Sequence, residues 1–254
     1  MSAKLFTVSI MSPYMVGGRL APLPARMAWA TADMKAAIAG LAKSLKEAGG
    51  ELILSDLFRS YDMQLQAHMD FVSKRKKAFS PPPGGSFHEA GRAFDLDLGR
   101  IKIKLGDLWP LARAQGLVPI ISTPDPKASE AWHFECRGSH QLVYDYYKAG
   151  KGVNFDDPYK AAAASAILAI GIKVDRFGDN QKMANIQAGL VRLGEQIGNI
   201  DGQIGPKTRT ALGKLGVDGS DEAAAQSAVN IALQTKFPKE FFDGTAPDPA
   251  VIHT

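Results

Sequence analysis

Four residues in two short segments of the 254-residue chain carry the side chains that a catalytic zinc site needs. His88 and Asp95 lie seven positions apart, and Glu130 and His133 follow further along the chain. Two imidazoles and one carboxylate suit Zn²⁺, and a catalytic zinc keeps its fourth position open for water. A hydrolase also needs a carboxylate that takes a proton beside the metal. Glu130 is the candidate for that base because it lies three residues before His133.

The segment around Asp95 is typical of a loop that runs into a strand. Residues 94–98 alternate between apolar and acidic side chains, so Asp95 and Asp97 should share one face of that strand. Asp97 is therefore a candidate for supporting the metal ligands through hydrogen bonds. A single histidine is more often a surface or core group than a ligand, and we keep that interpretation for the remaining histidines, His68, His140 and His253.

Residues 130–135 are also typical of a strand, but an ideal strand separates the two side chains of interest. Its period of two places His133 and Glu130 on opposite faces. Both can enter one site only if the chain turns or bulges before Ala131. We therefore predict such a bend between the candidate base and the candidate ligand.

The pattern S-x-H-x-x-G-x-A-x-D, followed by E-x-W-H, resembles the signature of the LAS-type zinc peptidases. This family includes D-alanyl-D-alanine carboxypeptidases and the L-alanyl-D-glutamate peptidases of phage endolysins. The resemblance implies that His88, Asp95 and His133 bind zinc and that Glu130 is the catalytic base. It also makes Ser86, the first residue of the pattern, a candidate for substrate binding. The implied domain is α+β, with a small antiparallel sheet flanked by helices.

The upstream segment 58–64 resembles the Y-R-S-x-x-x-Q segment of the same family, with Phe58 in place of the tyrosine. The resemblance maps the family's arginine onto Arg59 and its glutamine onto Gln64. A guanidinium can hold two oxygen atoms of a substrate at once, so Arg59 is a candidate for catalysis and substrate binding. The alternatives are a surface salt bridge for Arg59 and a polar helix face for Gln64.

Local patterns predict the elements that position these residues. Apolar residues at helical spacing predict helices at 31–48, 62–77 and 105–115, ended in the first and last cases by glycine. Residues 52–54 predict a buried strand that leads to Arg59. We expect these helices to alternate with short strands around one sheet.

A second module is predicted after the linker-like residues that follow position 147. Residues 186–194 and 200–212 resemble the repeat I-Q-x-x-L-x-x-L-G, then I-D-G-x-x-G-x-x-T-x-x-A, of a small all-α peptidoglycan-binding domain. We therefore divide the chain into a catalytic domain (1–155), a linker or bridging helix (156–177) and a peptidoglycan-binding domain (178–254). The alternative for the last region is a generic small helical domain, since turn motifs are common.

Charge and composition limit the partners. The net charge of +4 suits approach to an anionic cell envelope, and it equally suits nucleic acid. Because the basic cluster at 74–77 has no interleaved aromatic residues, we expect a solvated helix end and no nucleic-acid site. Cys136 is the single cysteine and is expected to be buried in an apolar role. The longest apolar run, residues 161–172, is too short to span a bilayer.

These observations predict a zinc-dependent peptidoglycan peptidase, either a murein endopeptidase or a D,D-carboxypeptidase. It would hydrolyse an amide bond of the stem peptide by attack of zinc-bound water, with Glu130 as general base. No signal peptide is visible, so we expect a monomer made in the cytoplasm, encoded by a phage and released to the wall by a holin. The alternative is a catalytically silent, zinc-containing protein that binds the wall.

Overall fold

The computed structural model of the protein describes residues 3–242, and the fold is α+β. The predictions for residues 243–254, including the interpretation of His253, lie outside the described residues. The chain forms two compact units. The first unit comprises Leu5–Pro82 and Phe87–Arg137. The second unit comprises Pro83–Ser86 and the described residues of Met1–Lys4 and Gly138–Thr254.

In its described residues, the first unit consists of short strands and three α-helices. The strands are β1 (Leu5–Thr7), β2 (Met11–Val16), β3 (Arg19–Pro22), β4 (Trp29–Thr31), β5 (Leu54–Asp56), β6 (Ala93–Leu96), β7 (Val118–Pro119) and β8 (His133–Glu135). The helices are α1 (Ala32–Glu47), α2 (Tyr61–Val72) and α3 (Leu105–Ala114). The last turn before β6 is a 3₁₀ helix, Phe87–Ala90.

The largest sheet of the first unit is antiparallel, with strand order β5-β6-β8-β7. Two further two-stranded sheets pair β1 with β4 and β2 with β3. The prediction of a small antiparallel sheet flanked by helices is confirmed, but the prediction of one sheet is wrong. The extra strands lie near the start of the chain, where Gly17 and Gly18 both adopt positive φ in the turn between β2 and β3.

A hydrophobic core lies between the four-stranded sheet and helices α1 and α3. Phe94 on β6 stacks on Phe134 on β8, with ring centroids 5.7 Å apart. Leu41 and Leu45 of α1 and Leu108 of α3 are fully buried in the same core. Since successive residues of a strand point to opposite faces, Asp95 and His133, the neighbours of the two phenylalanines, point away from this core. The core thus fixes the two strands that carry the candidate ligands.

The ends of the helices test the local predictions. Helix α1 ends at Glu47, one residue earlier than predicted. Gly49 follows with φ +82°, as the predicted glycine stop requires. Helix α2 ends at Val72, five residues earlier than predicted, and Lys74 adopts a left-handed φ of +61°. The predicted buried strand is displaced by two residues: 52–54 is buried, while β5 covers Leu54–Asp56.

Helices build the second unit: α4 (Gln141–Lys148), α5 (Pro158–Ala169), α6 (Gln181–Leu193), α7 (Pro206–Gly213) and α8 (Glu222–Lys236). Helix α5, predicted as a bridge between modules, packs against both α4 and α6 within this unit, and every residue from Ala161 to Ala169 is buried. The division at residues 155 and 177 stays a prediction. Among residues 3–242, no helix combines the length and the apolar character needed to cross a bilayer.

The repeat residues of the second unit hold one another in place. The Gln187 side chain on α6 accepts hydrogen bonds from the backbone N–H groups of Asp201 (2.9 Å) and Gly202 (2.7 Å). Its amide donates to Asp201 Oδ1 and to the Gln203 carbonyl oxygen, each at 2.9 Å. Gly202 has φ +77°, and a Cβ there would lie 2.6 Å from the Cβ of Asn180. The motif therefore encodes a helix locked to a turn that only glycine fits.

Candidate metal centre

Three elements of the first unit bring the candidate ligands together. His88 lies in the 3₁₀ turn Phe87–Ala90, Asp95 lies on β6 and His133 begins β8. Asp95 and His133 are direct partners in the antiparallel register of β6 and β8. Directly opposed residues on one face of a sheet have their Cβ atoms about 4.5–5.5 Å apart, so this register makes the two side chains neighbours.

The ligand atoms of His88, Asp95 and His133 all lie within 4.8 Å of one another. Asp95 Oδ1 is 3.3 Å from His88 Nε2 and 2.9 Å from His133 Nδ1. The two imidazole rings meet at an interplanar angle of 70°, with centroids 5.0 Å apart. Both histidines are buried, at 2% and 5% exposure. This group of side chains could hold a metal ion, as the sequence predicted.

Hydrogen bonds on the far side of each ring leave the correct nitrogen available for a metal. His88 Nδ1 lies 2.8 Å from the Leu57 carbonyl oxygen, and His133 Nε2 lies 3.2 Å from Glu135 Oε1. Both partners accept hydrogen bonds, so with a metal ion between the rings each neutral ring would carry its proton on that side. The lone pairs of His88 Nε2 and His133 Nδ1 then face Asp95 Oδ1. This donor set fits zinc, which binds neutral imidazole and carboxylate.

The electrostatics of the centre favour a positive charge. Burial alone would lower the pKa of His133, but hydrogen bonds to Asp95 and Glu135 outweigh it and raise this pKa to about 10. Burial alone would raise the pKa of Asp95, but His88 and His133 hold it well below its usual range. The carboxylates therefore attract a cation to the position between the rings, and a metal ion meets the same demand as a proton.

Glu130 stands at the bend that the strand pattern required. It adopts a left-handed φ of +65°, and its carbonyl oxygen accepts a hydrogen bond of 3.0 Å from the His133 N–H. The predicted turn before Ala131 is thus confirmed. Among the described residues, the buried Glu130 Oε1 has no hydrogen-bond partner. Burial raises the pKa of Glu130, Asp95 adds to the rise and His133 opposes it. A carboxylate in this condition is suited to accept a proton.

Arg59 is buried beside the candidate ligands and does not form the surface salt bridge that was its alternative. Its Nε donates to Asp56 Oδ2 at 2.7 Å, and one terminal nitrogen lies 3.4 Å from Asp95 Oδ2. Asp56 and Asp95 are opposed in the register of β5 and β6, so the guanidinium separates two carboxylates that would otherwise repel each other. Burial alone would lower the pKa of Arg59, but Asp56 and Asp95 raise it, so the group stays charged.

Gln64 also lies in this region, as the only buried residue among those described in α2. Its Oε1 accepts a hydrogen bond of 3.3 Å from Arg59, and its amide donates to Ser80 Oγ (3.0 Å) and the Pro81 carbonyl oxygen (2.6 Å). Through these contacts Gln64 connects Arg59 to the loop after α2. The alternative that Gln64 only belongs to a polar helix face is therefore wrong. Ser86 is buried and belongs to the second unit. Substrate contacts by Gln64 and Ser86 stay predictions.

Steric constraints explain why the pattern around His88 contains a glycine at position 91. Gly91 follows the 3₁₀ turn with φ +61°, a conformation that side chains rarely tolerate. A Cβ at this position would lie 2.8 Å from Leu5 Cδ2 and 3.1 Å from both Ala30 Cα and the Trp29 carbonyl oxygen. The spacing between His88 and Asp95 thus includes a tight turn that packs directly on β1 and β4.

Sequence reasoning missed the residues that support the centre. Glu135 shares a face of β8 with His133, which the alternation predicts, but its contact with the imidazole depends on rotamers. Asp56 and the Leu57 carbonyl have no pattern that marks them. The candidate support Asp97 is corrected: its carboxylate accepts from Gly99 N–H and pairs with Arg100, since the chain turns after β6. Cys136 is buried, as predicted.

Comparisons with known proteins give a weak structural likeness. The sequence matches no family model and no curated protein. A solved structure of the LdcB LD-carboxypeptidase, described as revealing the molecular basis of peptidoglycan recognition, is similar with a TM-score of 0.40. The similarity covers 52% of this chain and 67% of that chain, at 17% sequence identity.

Proposed function

We propose that the protein is a zinc-dependent peptidase that hydrolyses an amide bond in the stem peptide of peptidoglycan. The observation that carries this proposal is the meeting of His88, Asp95 and His133 beside a half-buried carboxylate, Glu130, whose buried Oε1 has no hydrogen-bond partner among the described residues. Metal ligands alone would suit a structural site. A spare, unpaired carboxylate at the edge of three protein ligands suits hydrolysis.

Each side chain of the centre has a distinct task in this reaction. His88, Asp95 and His133 would hold the zinc ion. A bound zinc ion lowers the pKa of a water molecule to about 7 and polarises the substrate carbonyl. Glu130 takes the proton from the attacking water and delivers it to the leaving amine. Its partial burial and its raised pKa support both transfers, because the carboxylate holds a proton more readily than an exposed glutamate does.

Arg59 contributes to the substrate side of the centre. Three of its N–H groups donate to Asp56, Gln64 and Asp95, so two of the five guanidinium donors have no acceptor among residues 3–242. We propose that these donors hold the scissile carbonyl or a nearby carboxylate. The contacts with Asp56 and Gln64 keep the group in one orientation, and preorganised donors stabilise developing negative charge most strongly.

The second unit is proposed to hold the peptidoglycan. This proposal depends on the resemblance of the α6 and α7 sequences to a wall-binding repeat, whose glutamine, aspartate and glycine lock together in the structure. Tethering raises the effective concentration of the peptidase at the wall without changing its chemistry. The monomeric state, the phage origin and the release by a holin stay predictions.

Digestion of purified muropeptides tests the proposed activity. The zinc-loaded protein should release defined fragments whose masses identify the bond that is cut, and Glu130→Gln should release them about 10²–10⁴-fold more slowly. Zinc content is measured in parallel by atomic emission. If the wild type binds zinc and peptidoglycan but cleaves no stem peptide, the silent wall-binding alternative replaces the peptidase.

A further inference from the structure

Glu135 is a buried carboxylate that the proposed reaction does not use. It is fully buried, and its backbone pairs on both sides, with Ala93 of β6 and Val118 of β7. Its Oε1 lies 3.2 Å from His133 Nε2, while its Oε2 accepts a hydrogen bond of 2.6 Å from Arg137 Nε. The Glu135 carboxylate therefore bridges the His133 imidazole and the Arg137 guanidinium.

The two candidate imidazole ligands are supported differently. His88 is held by a neutral backbone carbonyl, that of Leu57. His133 is held by a carboxylate, and hydrogen bonds to an ionised acceptor are roughly twice as strong as neutral ones. A carboxylate that accepts a proton from one ring nitrogen also raises the donor strength of the other nitrogen toward a metal. His133 should therefore be the more tightly oriented of the two imidazoles.

Arg137 explains how a carboxylate can remain ionised at a fully buried position. A buried charge without a partner is strongly unfavourable, and the Arg137 side chain, 15% exposed, supplies the counter-charge from the side that reaches the surface. Arg137 also occupies Oε2, which leaves Oε1 for the imidazole. The guanidinium thus holds one oxygen of Glu135 while the other faces His133.

We propose that Glu135, held by Arg137, is a positioning residue that keeps the His133 proton on Nε2 and thereby sets the affinity of the centre for its metal ion. This inference rests on the proposed zinc site. It assigns to Glu135 no contact with substrate and no proton transfer in the reaction.

Paired substitutions separate this role from simple stability. Glu135→Gln keeps an acceptor of the same size. The double variant Glu135→Leu with Arg137→Leu removes the acceptor together with the guanidinium that pairs with it, and replacing a whole buried ion pair with apolar residues is often tolerated. A matched control, Glu51→Leu with Lys102→Leu, removes an exposed ion pair of the same unit, joined at 3.3 Å.

Zinc affinity, measured by competition with a chromophoric chelator, is the main readout. The Leu-Leu variant at 135 and 137 should bind zinc about 10–100-fold more weakly than the wild type, which is the usual effect of losing such a partner. The zinc affinity of Glu135→Gln should lie closer to that of the wild type. The control variant, Glu51→Leu with Lys102→Leu, should have the zinc affinity of the wild type. Equal affinity in the wild type and the Leu-Leu variant would overturn the proposal for Glu135.

The protonation of His133 gives a second readout that needs no variant to fold. Long-range ¹H–¹⁵N correlation spectra of the zinc-loaded wild type should show His133 protonated at Nε2 and metal-bound at Nδ1. Zinc bound through Nε2 would refute the positioning role. If the wild type binds no zinc at all, the proposed function fails as well, whereas unchanged affinity in the Leu-Leu variant removes the role of Glu135 alone.

Discussion

Glu130 combines two features that a stable fold would avoid, and substitution there should separate catalysis from stability. Its φ of +65° is left-handed, and Oε1 is buried without a hydrogen-bond partner among the described residues. Glu130→Ala removes the carboxylate but keeps a Cβ. Glu130→Gly removes the carboxylate and also suits the backbone conformation.

The two variants should share a kinetic effect. Loss of the general base should reduce turnover by about 10²–10⁴-fold, equivalent to roughly 3–5 kcal/mol in the barrier. Zinc should remain bound, because the three candidate ligands are unchanged. Zinc loss as complete as that in His133→Ala would show that Glu130 is a ligand.

Stability should distinguish the two variants. Removing the unpartnered oxygen relieves a cost of about 1–3 kcal/mol in both of them, so each should be more stable than the wild type. A left-handed φ costs a residue with a Cβ about 1–2 kcal/mol, and the flexibility of glycine offsets about 0.5–1 kcal/mol of that. The free energy of unfolding of Glu130→Gly should therefore exceed that of Glu130→Ala by roughly 1 kcal/mol.

Denaturant unfolding of the metal-free proteins measures this difference. A chelator is present throughout, so that neither a metal ion nor its water can act as a partner for Glu130. Equal stabilities for the alanine and glycine variants would show that the turn carries no strain. A wild type more stable than both would show that the Glu130 carboxylate is well solvated or paired.

Three further predictions follow from the same geometry. Alanine at any of the three candidate ligands should abolish both zinc binding, measured by atomic emission, and hydrolysis, since a three-ligand site has no redundancy. Gly91→Ala should destabilise the protein by about 1–3 kcal/mol in denaturant unfolding and weaken zinc binding, because the turn must move away from Ala30. A fragment of residues 138–254, which keeps helices α4 and α5 packed against α6, should bind insoluble peptidoglycan in a pull-down. A supernatant that retains this fragment would contradict a wall-binding role.

The sequence by itself determined the features that depend on residues close together in the chain. Helix α1 was predicted within one residue at each end, because its apolar spacing and the glycines after it are local signals. The bend at Glu130 followed from the period of a strand. The Gly17-Gly18 hairpin was equally local, and its glycine pair is the signal that could have revealed β2 and β3.

The early end of α2 shows a local competition that spacing does not resolve. The apolar pattern continues toward the basic run at 74–77, but Lys74 turns left-handed and the helix ends at Val72. Continuing the helix would place four positive charges within about one turn, with Lys74 and Lys77 as like-charged neighbours three residues apart, and this cost opposes a helix segment that gains little burial. Pattern matching predicted the helix correctly but not where it ends.

Only the tertiary structure decided which distant groups meet. The register that opposes Asp95 to His133 joins residues far apart in the chain, and strand registers are set by packing across the whole sheet. The same register brought Asp56 beside Asp95 and so gave Arg59 two carboxylates to hold. Residue types, together with the resemblance to a known signature, were sufficient to name the candidate ligands. The hydrogen bonds that orient the imidazoles come from side-chain rotamers and a backbone carbonyl, and no sequence pattern specifies these before the chain has folded.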